Sequence, residues 1–179
     1  MAEFVVLTGG PCAGKTTLIE RLHELGYPIL EESAAAVIRS DPDGKLRRKP
    51  LEFQKAVLRR QVLREEAMIR QASPAPFVFA DRGVGDHFAY LRHQGLEPFP
   101  ELLDAWESAA TRYRAVFLLE LGPDYHESWR RPETRREAMR LHELLREEYS
   151  RRHAGVTTIP WMGVEERLER LLGEVARLL

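Results

Sequence analysis

The sequence predicts an α/β protein of three layers, a five-stranded parallel sheet with helices on both faces. Two observations carry this. The chain starts with a short apolar run, a glycine-rich loop and a segment of helical spacing. Four further apolar runs then alternate with amphipathic stretches through the 179 residues. Strands that alternate with helices bury a parallel sheet between two helical layers. No repeat, low-complexity tract or linker divides the chain, so one domain is expected over residues 1–179.

The first run is Phe4-Val5-Val6-Leu7, which reads as a buried parallel strand. Gly9-Gly10-Pro11-Cys12-Ala13-Gly14-Lys15-Thr16-Thr17 follows and fits G-x-x-x-x-G-K-[ST]. From Thr17 to Gly26, Leu18, Leu22 and Leu25 fall at helical spacing before a glycine stop. Strand, glycine loop and helix suit a triphosphate. The backbone approaches closely, successive N–H groups share a concavity, and the helix N-terminus adds positive charge. The nine loop residues are the candidate nucleotide site. Lys15 would reach the β/γ-phosphates and the Thr16 hydroxyl would bind Mg²⁺.

Composition narrows the function classes. The net charge of −1 gives no global attraction for nucleic acid or anionic membrane. The single cysteine, Cys12, forms neither an internal disulfide nor a metal pattern. No apolar run reaches membrane-spanning length, and a cytoplasmic enzyme is expected.

Along the chain, Tyr27 to Ser33 reads as a second strand ending at Glu31-Glu32, with a helix from an N-cap at Ser33 through Arg39. A carboxylate at a strand end faces the ligand crevice and can deprotonate an acceptor hydroxyl; Glu32 is preferred over Glu31. The loop through Lys45, Arg47, Arg48 and Lys49 is basic and reads as solvated surface. A long helix runs from Pro50 to about Gln71, with Arg59, Arg60, Arg64 and Arg70 on an exposed face. Phe77-Val78-Phe79-Ala80 is the third strand, with Asp81-Arg82-Gly83 at its tip. Asp81 is the second candidate Mg²⁺ ligand, and Arg82 a candidate grip on the transferring phosphoryl group.

Asp86 lies near the start of the next helix, with Phe88 and Leu91. Leu102, Leu103, Trp106 and Ala110 mark another helix, with Trp106 read as core. Ala115 to Leu121 is the fourth strand. Trp129 to Arg136 is dense in arginine and precedes a helix through Met139, Leu141, Leu144, Leu145 and Tyr149. This suggests an arginine-rich lid over roughly residues 123–150, with Arg131 and Arg135 as candidates to meet developing charge. Gly155 to Pro160 is the fifth strand, and Val164 to Leu179 a core-facing helix.

Taken together, Gly9 to Thr17, Glu31-Glu32, Asp81-Arg82-Gly83 and Arg130 to Arg136 resemble the AAA_28-type P-loop family. That family includes nicotinamide-riboside-kinase-like domains within the wider nucleoside and nucleotide kinase fold. The resemblance implies strand order 2-3-1-4-5, with ATP and Mg²⁺ at the P-loop. It leaves the acceptor open.

The first functional reading is ATP- and Mg²⁺-dependent transfer of phosphate to a small, nucleoside-like hydroxyl, with GTP as the alternative donor. Lys15, Glu32, Asp81, Arg82, Arg131 and Arg135 are its candidate catalytic residues, and the base is Glu32, Glu31 or Asp81. The second reading is a nucleotide-switched binding protein without a small acceptor. A chain with no asparagine cannot carry the guanine-reading N-K-x-D of translation-type GTPases. Arg82 stands where motor-type ATPases place a water-activating glutamate. The third reading is a polynucleotide 5′-kinase. Near-neutral charge and the lack of an aromatic platform argue against it.

Overall fold

The computed structural model describes residues 3–71, 75–123, 134–153 and 155–179. In chain order the elements are β1 (Glu3–Thr8), α1 (Lys15–Glu24), β2 (Ile29–Leu30), α2 (Ser33–Arg39), α3 (Pro50–Arg70) and β3 (Phe77–Asp81). Then follow α4 (Val84–His93), α5 (Pro100–Ala110), β4 (Tyr113–Leu119), α6 (Arg135–Arg152), β5 (Val156–Ile159) and α7 (Val164–Ala176). The five strands form one sheet of order β2-β3-β1-β4-β5. Every pairing is parallel, as the alternation of runs predicts.

Alternate residues of each strand enter opposite layers. Phe4, Val6, Val78, Ala80 and Val116 pack with Leu58, Phe88, Leu102, Trp106 and Tyr149 from α3 to α6. Val5, Leu7, Phe79, Phe117 and Leu119 pack with Leu18 and Leu22 of α1 and Leu168 and Leu171 of α7. Both faces of the sheet are therefore dry, which is why β1, β3 and β4 read as unbroken apolar runs. Trp106 is core, edge-on to Phe88, Tyr113 and Tyr149.

Boundaries differ from the sequence reading where local geometry overrides periodicity. α1 starts at Lys15 rather than Thr17, because Gly14 is its N-cap. It ends at Glu24, where Gly26 N–H donates to the His23 carbonyl and Tyr27 N–H to that of Leu22. Leu25, assigned to the apolar stripe, is exposed. Glu32, not Ser33, caps α2. β4 begins at Tyr113, two residues before the expected Ala115, since Phe4 continues the ladder to Tyr113. Arg64 leaves the exposed face of α3 and donates to the Glu31 carbonyl at 2.8 Å. No described helix is long and apolar enough to cross a membrane.

Candidate functional site

β1 delivers the glycine loop to the carboxyl edge of the sheet, between the ends of β3 and β4. Gly9 sits at φ 138°, and a Cβ there would lie 2.6 Å from the Leu119 carbonyl oxygen. Only glycine lets the loop pass that close to β4. Gly14 adopts a left-handed conformation (φ 81°) and has no side chain to cap α1, so the amides of the first turn remain for a ligand. Pro11 and Ala13 are buried, Cys12 is half-buried in a left-handed conformation, and Thr16 and Thr17 are exposed on the first turn of α1.

Lys15 folds back on the loop. Its Nζ donates to the carbonyls of Gly9 at 2.7 Å and Gly10 at 2.9 Å. Burial, then the nearby Arg82, lowers its pKa to about 8, against the pull of Asp81 and Glu32. A cation destabilised in this way gains from an arriving polyphosphate.

β3 ends at Asp81, paired with Leu7. Asp81 is 6% exposed. Burial raises its pKa to about 6, opposed mainly by Lys15. Its Oδ1 is buried without a hydrogen-bond partner, a state that a cation or a phosphate-bound water would relieve. The donor set therefore fits Mg²⁺. Among the described residues no three His, Cys, Asp or Glu side chains gather as a metal cage. Mg²⁺ accompanying a nucleotide needs only one or two protein ligands beside phosphate and water.

Arg82 is the hinge of the site. Its backbone is left-handed (φ 76°), held by N–H donation to Leu7 at 3.0 Å. Such a non-glycine conformation turns the side chain back over the loop. The guanidinium donates through Nε to Glu32 Oε1 at 2.6 Å and through Nη1 to Asp86 Oδ1 at 3.0 Å. Nη1 also lies 3.5 Å from the Gly9 carbonyl, and the group sits 5.2 Å from the Tyr90 ring centroid. Burial opposes its charge, but Tyr90, Glu32, Asp86 and Asp81 hold it firmly as a cation.

The strand tip rests on buried polar groups: Asp86, which the sequence places near the start of α4 without assigning it a role, and Gln54, Gln61, Glu65 and His87, which sequence reasoning missed. Asp86 accepts from Thr8 Oγ1 at 2.9 Å, Gly83 N–H at 3.0 Å and Tyr149 Oη at 2.7 Å, besides Arg82. Gln61 donates Nε2 to Glu65 at 3.1 Å and toward the Arg82 carbonyl at 3.4 Å, so it offers its oxygen to His87 Nε2. His87, fully enclosed and pushed down to about 4 by burial, is neutral. His87 Nδ1 lies 3.0 Å from Gln54 Oε1, so a neutral ring with its proton on Nε2 requires the Gln54 amide turned to present its NH₂ to Nδ1. Glu65 is buried under Tyr113 Oη at 2.7 Å and Arg112 at 3.4 Å. The only local signal for these groups is polar residues on otherwise apolar helix faces.

A cleft of about 380 Å³ opens on the other side of the loop, lined by Gly14, Thr17 and Leu18 and by Trp161, Met162 and Arg167 from the β5–α7 segment. Arg167 donates to the Ala13 carbonyl at 2.7 Å and the Glu120 carbonyl at 3.0 Å, and lies 5.0 Å from the Trp161 ring centroid. Neither residue stands out in the sequence, because both belong to the site through contacts across the fold.

Lys15, Glu32, Asp81 and Arg82 thus converge on the loop. Glu31 points to Arg64 instead and is mostly exposed. Arg135 is exposed at the first turn of α6. Arg131 and much of the expected lid lie outside the described residues. From Arg135 onward that stretch is α6, packed along α4.

A glycine loop between β1 and α1 in a 2-3-1-4-5 parallel sheet defines a P-loop α/β protein of the NTPase and kinase class. The chain belongs to the AAA_28 family, an AAA domain, which matches residues 4–167. No curated protein matches its sequence. A NadR protein solved in complex with NR shares the fold with a TM-score of 0.75 and 16% identity, over 99% of this chain and 50% of that one. A NadR protein solved with NAD and AMP-PNP gives 0.71 and 17%, over 99% and 49%. The chain thus spans about half the length of these structures' chains.

Proposed function

We propose that this protein transfers the γ-phosphoryl group of ATP, with Mg²⁺, to the hydroxyl of a small nucleoside-like acceptor. One observation carries the reading: Lys15 and Arg82 both reach the Gly9 carbonyl, and Arg82 is bound to Glu32. A phosphate-binding lysine, a fixed guanidinium and a partly exposed carboxylate are thereby joined around one point of the loop.

The chemistry follows from that arrangement. The uncapped amides of the first turn of α1, with the Lys15 ammonium, would hold the β/γ-phosphates. Thr16 and Asp81 would hold Mg²⁺, which when bound neutralises charge on the bridging oxygens. Arg82, kept cationic and immobile by two carboxylates, faces the transferring group without having to reorganise. Glu32 takes the acceptor proton, with Asp81 as the alternative base. Arginines of the lid region, Arg131 or Arg135, would add charge on closure. The Trp161 cleft beside Gly14 and Thr17 suits the nucleotide base, with an aromatic face against its ring. The fold shared with NadR proteins bound to NR and to AMP-PNP supports a nucleoside-like acceptor and an adenine nucleotide donor.

The test is ADP release from ATP·Mg²⁺ with and without a panel of nucleosides, nicotinamide riboside, nucleoside monophosphates, sugars and short oligonucleotides. Lys15→Ala is the blank. Release stimulated by one acceptor, with the phosphorylated product seen by mass, is the expected result. Slow release that no acceptor stimulates would instead indicate a nucleotide-switched binding protein.

A further inference from the structure

α6 touches the P-loop itself. A Cβ on Gly10 would lie 2.9 Å from the Ala138 carbonyl oxygen and 3.1 Å from His142 Cβ. His142 is 3% exposed. Gly10 N–H donates to its Nδ1 at 3.3 Å. A backbone N–H can only donate, so Nδ1 carries no proton and the neutral ring is protonated at Nε2. Nε2 lies 3.2 Å from Glu120 Oε2 and donates to it. Arg146 Nη2, also 3.2 Å from Nε2, binds Glu120 Oε1 at 2.6 Å and shares that carboxylate rather than the ring. The carbonyl of the same Gly10 accepts Lys15 Nζ at 2.9 Å.

A chain of contacts therefore runs from Glu120 through His142 and Gly10 to Lys15, across 132 positions of sequence between Gly10 and His142. A carboxylate behind an imidazole fixes its tautomer and orientation. We propose that His142 is a positioning residue for the P-loop: as a neutral imidazole locked by Glu120, it holds the Gly10 peptide, and through it Lys15, in the orientation that receives a triphosphate. This rests on reading the loop as a triphosphate site.

The role requires the neutral ring. A protonated Nδ1 would set one donor against another at Gly10. The charged groups around the ring are Glu120 at the end of β4, Glu143 and Arg146 on α6, Lys15 across Gly10, and Arg167 of α7 on the Glu120 carbonyl. Burial, aided by Arg146, lowers the His142 pKa despite Glu120 and Glu143. The grip is therefore intact at neutral pH and is lost in acid.

The test measures AMP-PNP·Mg²⁺ affinity from pH 7.5 down to the acid limit of the folded protein, well below the ordinary imidazole value, for the wild type, His142→Leu, His142→Asn and Lys15→Ala. His142→Leu should bind about threefold to tenfold more weakly at pH 7.5, the equivalent of one hydrogen bond. The Asn side-chain oxygen takes the place of Nδ1, so His142→Asn should bind within about twofold of wild type at that pH. Asp81 titrates alike in both proteins, so the ratio of wild-type to His142→Asn affinity isolates the histidine. That ratio should fall as the pH drops. A constant ratio, or an Asn variant as weak as the Leu variant, overturns the proposal. If His142→Leu fails to fold, the Asn ratio decides alone. Wild-type binding by Lys15→Ala would overturn the triphosphate reading itself. Loss in Lys15→Ala with full binding in His142→Leu would overturn only the positioning role.

Discussion

Tyr149 Oη donates to Asp86 Oδ2 at 2.7 Å, joining α6 to the start of α4 across 63 positions of sequence. Asp86 uses the same carboxylate to hold Arg82, Thr8 and the Gly83 amide. The residue that fixes the guanidinium is thus itself fixed from the helix that follows the arginine-rich stretch. Tyr149→Phe keeps the ring and removes the donor. It should lower stability by about 1.5–3 kcal/mol, the range for a hydrogen bond to a charged group. Urea denaturation checks this, and an unchanged midpoint would mean that Asp86 is satisfied without the tyrosine.

Gly85 makes the same approach sterically. A Cβ there would lie 2.6 Å from two Tyr149 ring atoms. That ring is fully buried and has no room to retreat. Gly85→Ala should cost about 1–3 kcal/mol as overpacking, despite alanine's better helix propensity. A thermal melt at or above wild type would refute the close packing of α4 on α6.

Asp81 is held at the expense of stability. Its folded pKa is raised from 3.8 to about 6 by burial. A carboxyl that binds its proton more tightly when folded contributes stability below its unfolded pKa and loses it as pH rises through about 6. At neutral pH the charged form therefore weakens the fold by something on the order of 3 kcal/mol, a net figure in which the opposing pull of Lys15 is already included. Asp81→Asn should melt at or above wild type at pH 7.5 while turnover falls by about a hundredfold or more, as expected for a lost charge-stabilising contact. A large drop in Tm with normal specific activity would make Asp81 a structural residue.

His87 has the opposite sign. Its pKa falls from 6.5 to about 4 in the fold, by burial. The neutral ring contributes stability that is complete above 6.5 and lost as pH falls through about 4. Glutamine does not titrate, so the stability gap between wild type and His87→Gln should shrink by on the order of 3 kcal/mol over that window. Denaturation curves at pH 7 and pH 4 measure it, and a gap independent of pH would place His87 in contact with solvent.

The sequence by itself determined the sheet, the loop and the polarity of the site. Phe4 to Leu7, Phe77 to Ala80 and the core of β4 are legible because two dry faces demand unbroken apolar runs. Gly9, Gly14 and Lys15 are legible because the geometry of the glycine loop is local to nine residues. Asp81 and Arg82 follow from their place at a strand end. The tertiary structure alone decided how these groups are held. Arg82 reaches Glu32 across 50 positions, Asp86 reaches Tyr149 across 63, Gly10 reaches His142 across 132 and Ala13 reaches Arg167 across 154. In the sequence Tyr149 looks like one more apolar helix position, and His142 and Arg167 look like solvated ones. Periodicity reports which face of a helix is buried. Whether a polar side chain on that face meets a partner depends on elements that only the folded chain brings within hydrogen-bond reach.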